Sequence, residues 1–110
     1  MKDWELIYSY SRDDAMRDGV LRDVTYLAKQ YGFRLNTAIT ETLWHIVGGD
    51  EEEIKDLLVD LWIRIKQTDG KVSMLIYDYK IGKRTVKIRS EVGPGDDAYP
   101  VLTIGTPHDF

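Results

Sequence analysis

The hydrophobic pattern of this chain changes its period once, near Lys71, and that change constrains the fold more than any other feature. Before it, Ile54, Leu57, Leu58, Leu61, Trp62 and Ile65 recur at i, i+3, i+4 spacing, which lays one apolar stripe along a helix. After it, apolar residues alternate with a period of two, as strands require. Helices first and strands last, joined by short links, imply an α+β domain. The expected architecture is N-terminal helices packed on one face of a C-terminal three-stranded antiparallel β-meander.

Capping chemistry sharpens the helical half. Ser11 caps a first helix that Asp13 and Asp14 favour at its positive end and Gly19 stops. A second helix spans about Asp23 to Tyr31, with Val24, Leu27, Ala28 and Tyr31 on one side and Gly32 as terminator. A third, capped by Thr40 or Thr37, carries Ile39, Leu43, Trp44, Ile46 and Val47 and closes at Gly48-Gly49. The fourth opens at Asp50 with Glu53 placed as in a capping box, Glu51 and Glu52 beside them, and Lys66 at the opposite end.

Three strands follow: Val72–Ile81, Arg84–Val92 and Pro100–Ile104, the first two joined by a turn at Lys80-Ile81-Gly82-Lys83. In the second, Val86, Ile88 and Val92 face one way while Thr85, Lys87, Arg89 and Glu91 face the other, the pattern of a half-solvated strand. The first is apolar on both faces, which predicts a central strand or one covered on both sides. A homodimer burying one sheet face would supply that cover.

At 110 residues the chain, 1–110, is one domain. The absence of cysteine excludes disulfides, zinc–cysteine sites and thiol catalysis. No apolar run reaches membrane-spanning length, and Met1-Lys2-Asp3-Trp4-Glu5 is not a signal peptide, so the expectation is a soluble cytoplasmic protein. Net charge is −4 but unevenly placed. Residues 1–60 hold 13 acids and 7 bases, for −6, whereas residues 61–92 hold 3 acids and 8 bases, for +5.

The stretch Val92-Gly-Pro-Gly-Asp-Asp-Ala-Tyr-Pro-Val-Leu-Thr-Ile104 formally contains G-x-G-x-x-A after a strand. A phosphate loop must open a helix, yet Tyr99-Pro100 imposes extended backbone and a strand follows. Asp96 and Asp97 would also repel phosphate, so the stretch reads as a connection whose carboxylates accept backbone N–H groups. Asp96, Asp97 and His108 are metal-ligand types, but neighbours on an extended chain point apart, and no metal or cofactor is expected. Asp14 and Asp18 share a helix face with Arg17 and Arg22 close enough to neutralise them. His45 sits at the edge of an apolar stripe without a nucleophile motif, so no catalytic set is assembled and the chain reads as a non-enzyme.

Residues 23–47 loosely match a helix-turn-helix, but Ala38 and Glu41 occupy positions that want larger apolar residues. The hairpin is the better nucleic-acid candidate: Lys80, Lys83, Arg84, Lys87 and Arg89 form a basic ribbon near Tyr77 and Tyr79. Edge strands also use lysine to block aggregation. Trp4, Tyr8 and Tyr10 precede the first helix and either close the core or form a protein-contact patch.

Tyr10-Ser-Arg-Asp-Asp-Ala-Met-Arg-Asp-Gly-Val-Leu-Arg-Asp-Val24, Tyr31-Gly-Phe33, Ala38-Ile-Thr-Glu-Thr-Leu-Trp44 and the Val92–Ile104 stretch together resemble a family of small uncharacterised proteins of bacterial plasmids, integrated elements and phages. The resemblance covers nearly the whole chain, although residues 48–70 match only as an amphipathic helix. It carries no catalytic residue across. What it implies is an accessory protein of a mobile element, of the kind that regulates copy number, transfer or host defence. The leading expectation is a non-enzymatic module that binds an unidentified protein partner. The alternatives are a nucleic-acid-associated protein using the hairpin, and a small enzyme or ligand-binding domain centred on Asp96, Asp97 and His45.

Overall fold

In the computed structural model, which describes residues 10–110, the chain runs α1 (Arg12–Arg17), β1 (Leu21–Asp23), α2 (Thr25–Gln30), β2 (Asn36–Thr40), α3 (Glu41–Ile46), α4 (Glu51–Gln67), β3 (Met74–Ile81), β4 (Arg84–Pro94) and β5 (Pro100–Gly105). A 3₁₀ turn, Pro107–Asp109, closes it. The α+β class is as expected, but the sheet is larger than a meander. Its five strands are ordered β1-β2-β5-β4-β3. The antiparallel β3-β4-β5 meander forms one half, and β2 joins β5 in parallel with antiparallel β1 outside it.

The inner face of the sheet carries the core. Val86 and Ile88 of β4, Leu102 and Ile104 of β5 and Ile39 of β2 meet the α4 stripe of Ile54, Leu57, Leu58 and Leu61, with Leu27 of α2 and Leu43 of α3. Each of these leucines, fully buried, contributes about 1.5–3 kcal/mol of transfer free energy. The α4 stripe is therefore the main anchor of the helical layer. Asp50 caps α4 by accepting from Glu52 N–H at 3.0 Å; the reciprocal Glu53 bond of a capping box is not among its contacts. Gly32, at φ +97°, lies under Trp62, where a Cβ would stand 2.7 Å from the indole nitrogen. That close approach is what glycine supplies at the end of α2.

Three expectations are corrected. The segment expected as one helix from Thr37 or Thr40 divides into β2 and α3, and Thr40 is the α3 N-cap, accepting from Leu43 N–H. β2 is buried along four of its five residues because it lies between two strands, so it shows no alternation to read. The helices also do not share one face: α2, α3 and α4 cover the inner face, while α1 and the 3₁₀ turn lie on the outer one. Finally, β3 is, among the described residues, an edge strand rather than a central one. Leu75, Tyr77, Tyr79 and Ile81 are half-buried against the core, and Met74 and Ile76 face out. Among the described residues no helix is long and apolar enough to cross a membrane.

α1 is attached to the outer face by contacts distant in sequence. Its own cap is a capping box: Ser11 Oγ accepts from Asp14 N–H at 2.9 Å and Asp14 accepts from Ser11 N–H. Arg12 then reaches across the sheet, donating from Nη1 to Thr103 Oγ1 at 2.6 Å and from Nη2 to the Leu102 carbonyl at 3.0 Å. The Asp96 carboxylate accepts from Arg12 N–H at 2.8 Å and Asp13 N–H at 2.9 Å, a tertiary cap on the first turn.

Candidate functional site

α1 reaches β5 through Arg12 but leaves part of β4 and β5 uncovered, and the gap is a groove of about 420 Å³ on the outer face. Glu91 and Gly93 of β4 lie opposite Thr103 and Val101 of β5 and form its floor. Arg12, Ala15 and Tyr10 border it on one side, Thr40 and Thr42 on another, and Asp109 and Phe110 where the chain closes. The size falls within the range of pockets that enclose a small ligand or a protruding side chain.

Asp109 organises the closing end. Its carboxylate accepts from Thr40 Oγ1 at 2.7 Å, Thr42 Oγ1 at 2.9 Å, Thr106 N–H at 2.8 Å and Thr106 Oγ1 at 3.0 Å. Partial burial pushes its pKa up, but these donors together outweigh burial and hold it below the usual aspartate value. Gly105 permits this clasp, since a Cβ there would stand 2.5 Å from Thr40 Cγ2 and 2.8 Å from Asp109 Oδ2. Phe110, placed by the clasp, lies 4.7 Å from the Arg89 guanidinium, which also donates to Glu91 at 3.0 Å.

Beyond the groove the outer face carries apolar residues at the start of β3, among the charged ones of the hairpin. Ile76 is 48% exposed, Met74 43% and Phe110 42%, and Ile76 pairs across the ladder with Arg89 as Met74 does with Glu91. Tyr10, at the opposite border, is 57% exposed and donates to Asp18 at 2.7 Å, a hydrogen bond that raises the phenol pKa. Trp4 and Tyr8, expected beside it as contact residues, lie outside the described residues.

The basic hairpin is assembled differently from expectation. Lys80, Lys87 and Arg89 lie on the outer face, Arg84 pairs with Ile81 on the other, and Lys83 is in the turn. Lys87 is 3.1 Å from Asp78, and Arg89 is held by Glu91 and Phe110. Tyr77 and Tyr79 point to the inner face, Tyr77 beneath Arg64 at 4.3 Å, so they do not stack beside the outward lysines. Burial pushes the Tyr77 phenol far above its usual range. Arg84, Lys87 and His108 border a separate open hollow at the hairpin's side.

The remaining candidates disperse. His45 is on α3, exposed and 3.5 Å from Glu41. Asp96 caps α1, while Asp97 accepts from Tyr99 N–H at 3.2 Å within its own turn. Among the described residues no group of three or more His, Asp or Glu side chains could hold a metal ion. β2 separates α2 from α3, so residues 23–47 do not form a helix-turn-helix.

No family model, curated protein or solved structure matches the chain. The groove must therefore be interpreted from its own geometry. Its floor and closing end do not stand out in the sequence. One signal is present: Gly93, inside a strand, marks a place where the sheet surface is left bare.

Proposed function

We propose that this protein is a non-enzymatic protein-binding module whose contact surface is the outer sheet face, with a partner's apolar side chain seated in the groove. The carrying observation is the half-covered sheet: Tyr10 and Phe110 are exposed at the border of a groove of about 420 Å³, and Met74 and Ile76 are exposed beyond it. Exposed apolar groups clustered around a concavity are the usual composition of a contact site. The charges nearby are matched internally, Arg89 to Glu91 and Asp109 to its threonine donors, so they orient the surface more than they offer reactive groups. The resemblance to small plasmid, integrated-element and phage proteins supplies the setting: a cytoplasmic accessory protein acting on a host or element protein, as in regulation or counter-defence.

Gly93 gives the test. A Cβ there meets nothing within 4 Å and its backbone is not left-handed, so Gly93→Phe fills the groove without straining the sheet. Affinity capture from nuclease-treated host lysate should retain a protein on the wild type and lose it on Gly93→Phe and on Ile76→Asp. Equal retention by the variants refutes the assignment. Retention that disappears on nuclease treatment transfers the function to nucleic acid.

A further inference from the structure

Among the described residues no strand pairs with β3 along its outer side. The Val92 N–H donates to the Ser73 carbonyl at 2.7 Å, which makes Ser73 and Val92 a hydrogen-bonded antiparallel pair. The ladder from Met74↔Glu91 to Ile81↔Arg84 keeps that register without a bulge. The odd-numbered residues of β3 therefore spend their backbone bonds on β4. The N–H and C=O groups of Met74, Ile76, Asp78 and Lys80 point away from the sheet. One device partly blunts this edge: Arg64 Nη2 donates to the Asp78 carbonyl at 3.3 Å. That long bond leaves the oxygen a second lone pair. β3 contains neither proline nor glycine, and Met74 and Ile76 on its outer face are exposed.

The side chains select what fits there. When two copies of one strand pair antiparallel about a two-fold normal to the sheet, opposed residues share a face, so a residue must sit on the axis. With Asp78 on the axis, two carboxylates would oppose each other. With Tyr77 on the axis, Met74 would face Lys80 and Ile76 would face Asp78, apolar against charge. With Tyr79 on the axis, Asp78 faces Lys80 of the second copy twice, and Tyr77 faces Ile81 twice. Opposite charges and aromatic–β-branched pairs directly across a ladder are the stabilising combinations. The half-buried rim of Tyr77, Tyr79 and Ile81 would also gain cover from its counterpart.

We propose that the chain forms a two-fold dimer by pairing β3 with β3 of a second copy in the Tyr79-centred register, joining two sheets into one. This surface is distinct from the groove. Light scattering and sedimentation should give twice the chain mass of 12.7 kDa for the wild type. Asp78→Lys opposes lysine with lysine, and Lys80→Asp opposes aspartate with aspartate, so each alone should run as a monomer. An equimolar mixture of the two restores both opposite-charge pairs and should run as a heterodimer. Lys80→Pro removes the outward N–H that this register pairs with Asp78 of the second copy, leaves the β3–β4 ladder intact, and should shift the wild-type dimer toward monomer with an unchanged circular dichroism spectrum. A wild type that stays monomeric at all concentrations overturns the proposal. So do charge variants that remain dimeric, and a mixture that remains monomeric.

Discussion

Removing the Asp109 carboxylate should destabilise the fold by an amount set mainly by one hydroxyl. Of its four donors, those on Thr42 and Thr106 are accessible enough for water to replace the lost acceptor. Thr40 is 6% exposed, so its hydroxyl proton would be left without an acceptor inside the structure. An unsatisfied buried donor costs about 1–3 kcal/mol, and the rewatered bonds add little, so Asp109→Ala should cost about 2 kcal/mol. Urea unfolding followed by tryptophan fluorescence would then show a midpoint lower by about 1 M, given a typical slope for a domain of this size. Asp109→Asn keeps one acceptor oxygen and should lose about half as much. The folded-state pKa lies below its ordinary value, so the carboxylate's contribution is present above the unfolded pKa and is lost as pH falls through the lower folded value. The gap between wild type and Asp109→Ala should thus persist at neutral pH and narrow in acid, where the protonated carboxyl keeps one acceptor oxygen as Asn does. A midpoint unchanged at neutral pH, or a gap that does not narrow on acid titration, would refute the clasp.

Gly105→Ala should cost about 1–3 kcal/mol, because its methyl would overlap Thr40 and Asp109, and thermal melting would register this as a lowered midpoint. Asp96→Ala releases the Arg12 and Asp13 amides, a loss of about 1 kcal/mol, with faster hydrogen exchange confined to α1. Asp97→Ala touches only the Tyr99 amide and should cost clearly less; equal losses would contradict the tertiary cap. Lys83→Glu with Arg84→Glu tests the hairpin in a gel shift at low salt. No shift is expected even for the wild type, and a salt-sensitive shift that the double variant abolishes would move the function to nucleic acid.

Where the sequence is legible, local physics and tertiary demand agree. α4 has its cap, dipole charges and stripe in one segment, and β4 alternates because one face meets the core and the other does not. β2 is illegible for a specific reason. Ile39, Leu43, Ile46 and Val47 fall at helical spacing, yet Ile39 belongs to a strand that exists through parallel pairing with β5, more than sixty residues away. Non-local pairing leaves no local period. β1, at three residues, is too short to show one. β3 misleads in the opposite direction, since apolar residues on both faces suggest burial where Met74 and Ile76 instead remain exposed.

The groove illustrates why sites of this kind escape sequence reasoning. Its border residues come from both ends of the described chain, and Tyr10 alone among them reads as a contact residue from sequence. The Asp96 carboxylate reads there as shaping a turn, whereas it joins the β4–β5 connection to α1 across 84 positions. That bond has a consequence for function. It sets where α1 lies over the sheet, and so how much of the outer face is left bare beside Gly93 and Pro94. The nearby charged groups are spent on such placements: Asp96 on helix amides, Asp109 on three threonines, Glu91 on Arg89, Asp78 on Lys87. Apart from Lys80, what the outer face retains unspent is apolar area, and apolar area is stabilised by covering it. This balance is the physical reason to favour recognition of another protein surface over chemistry at this face.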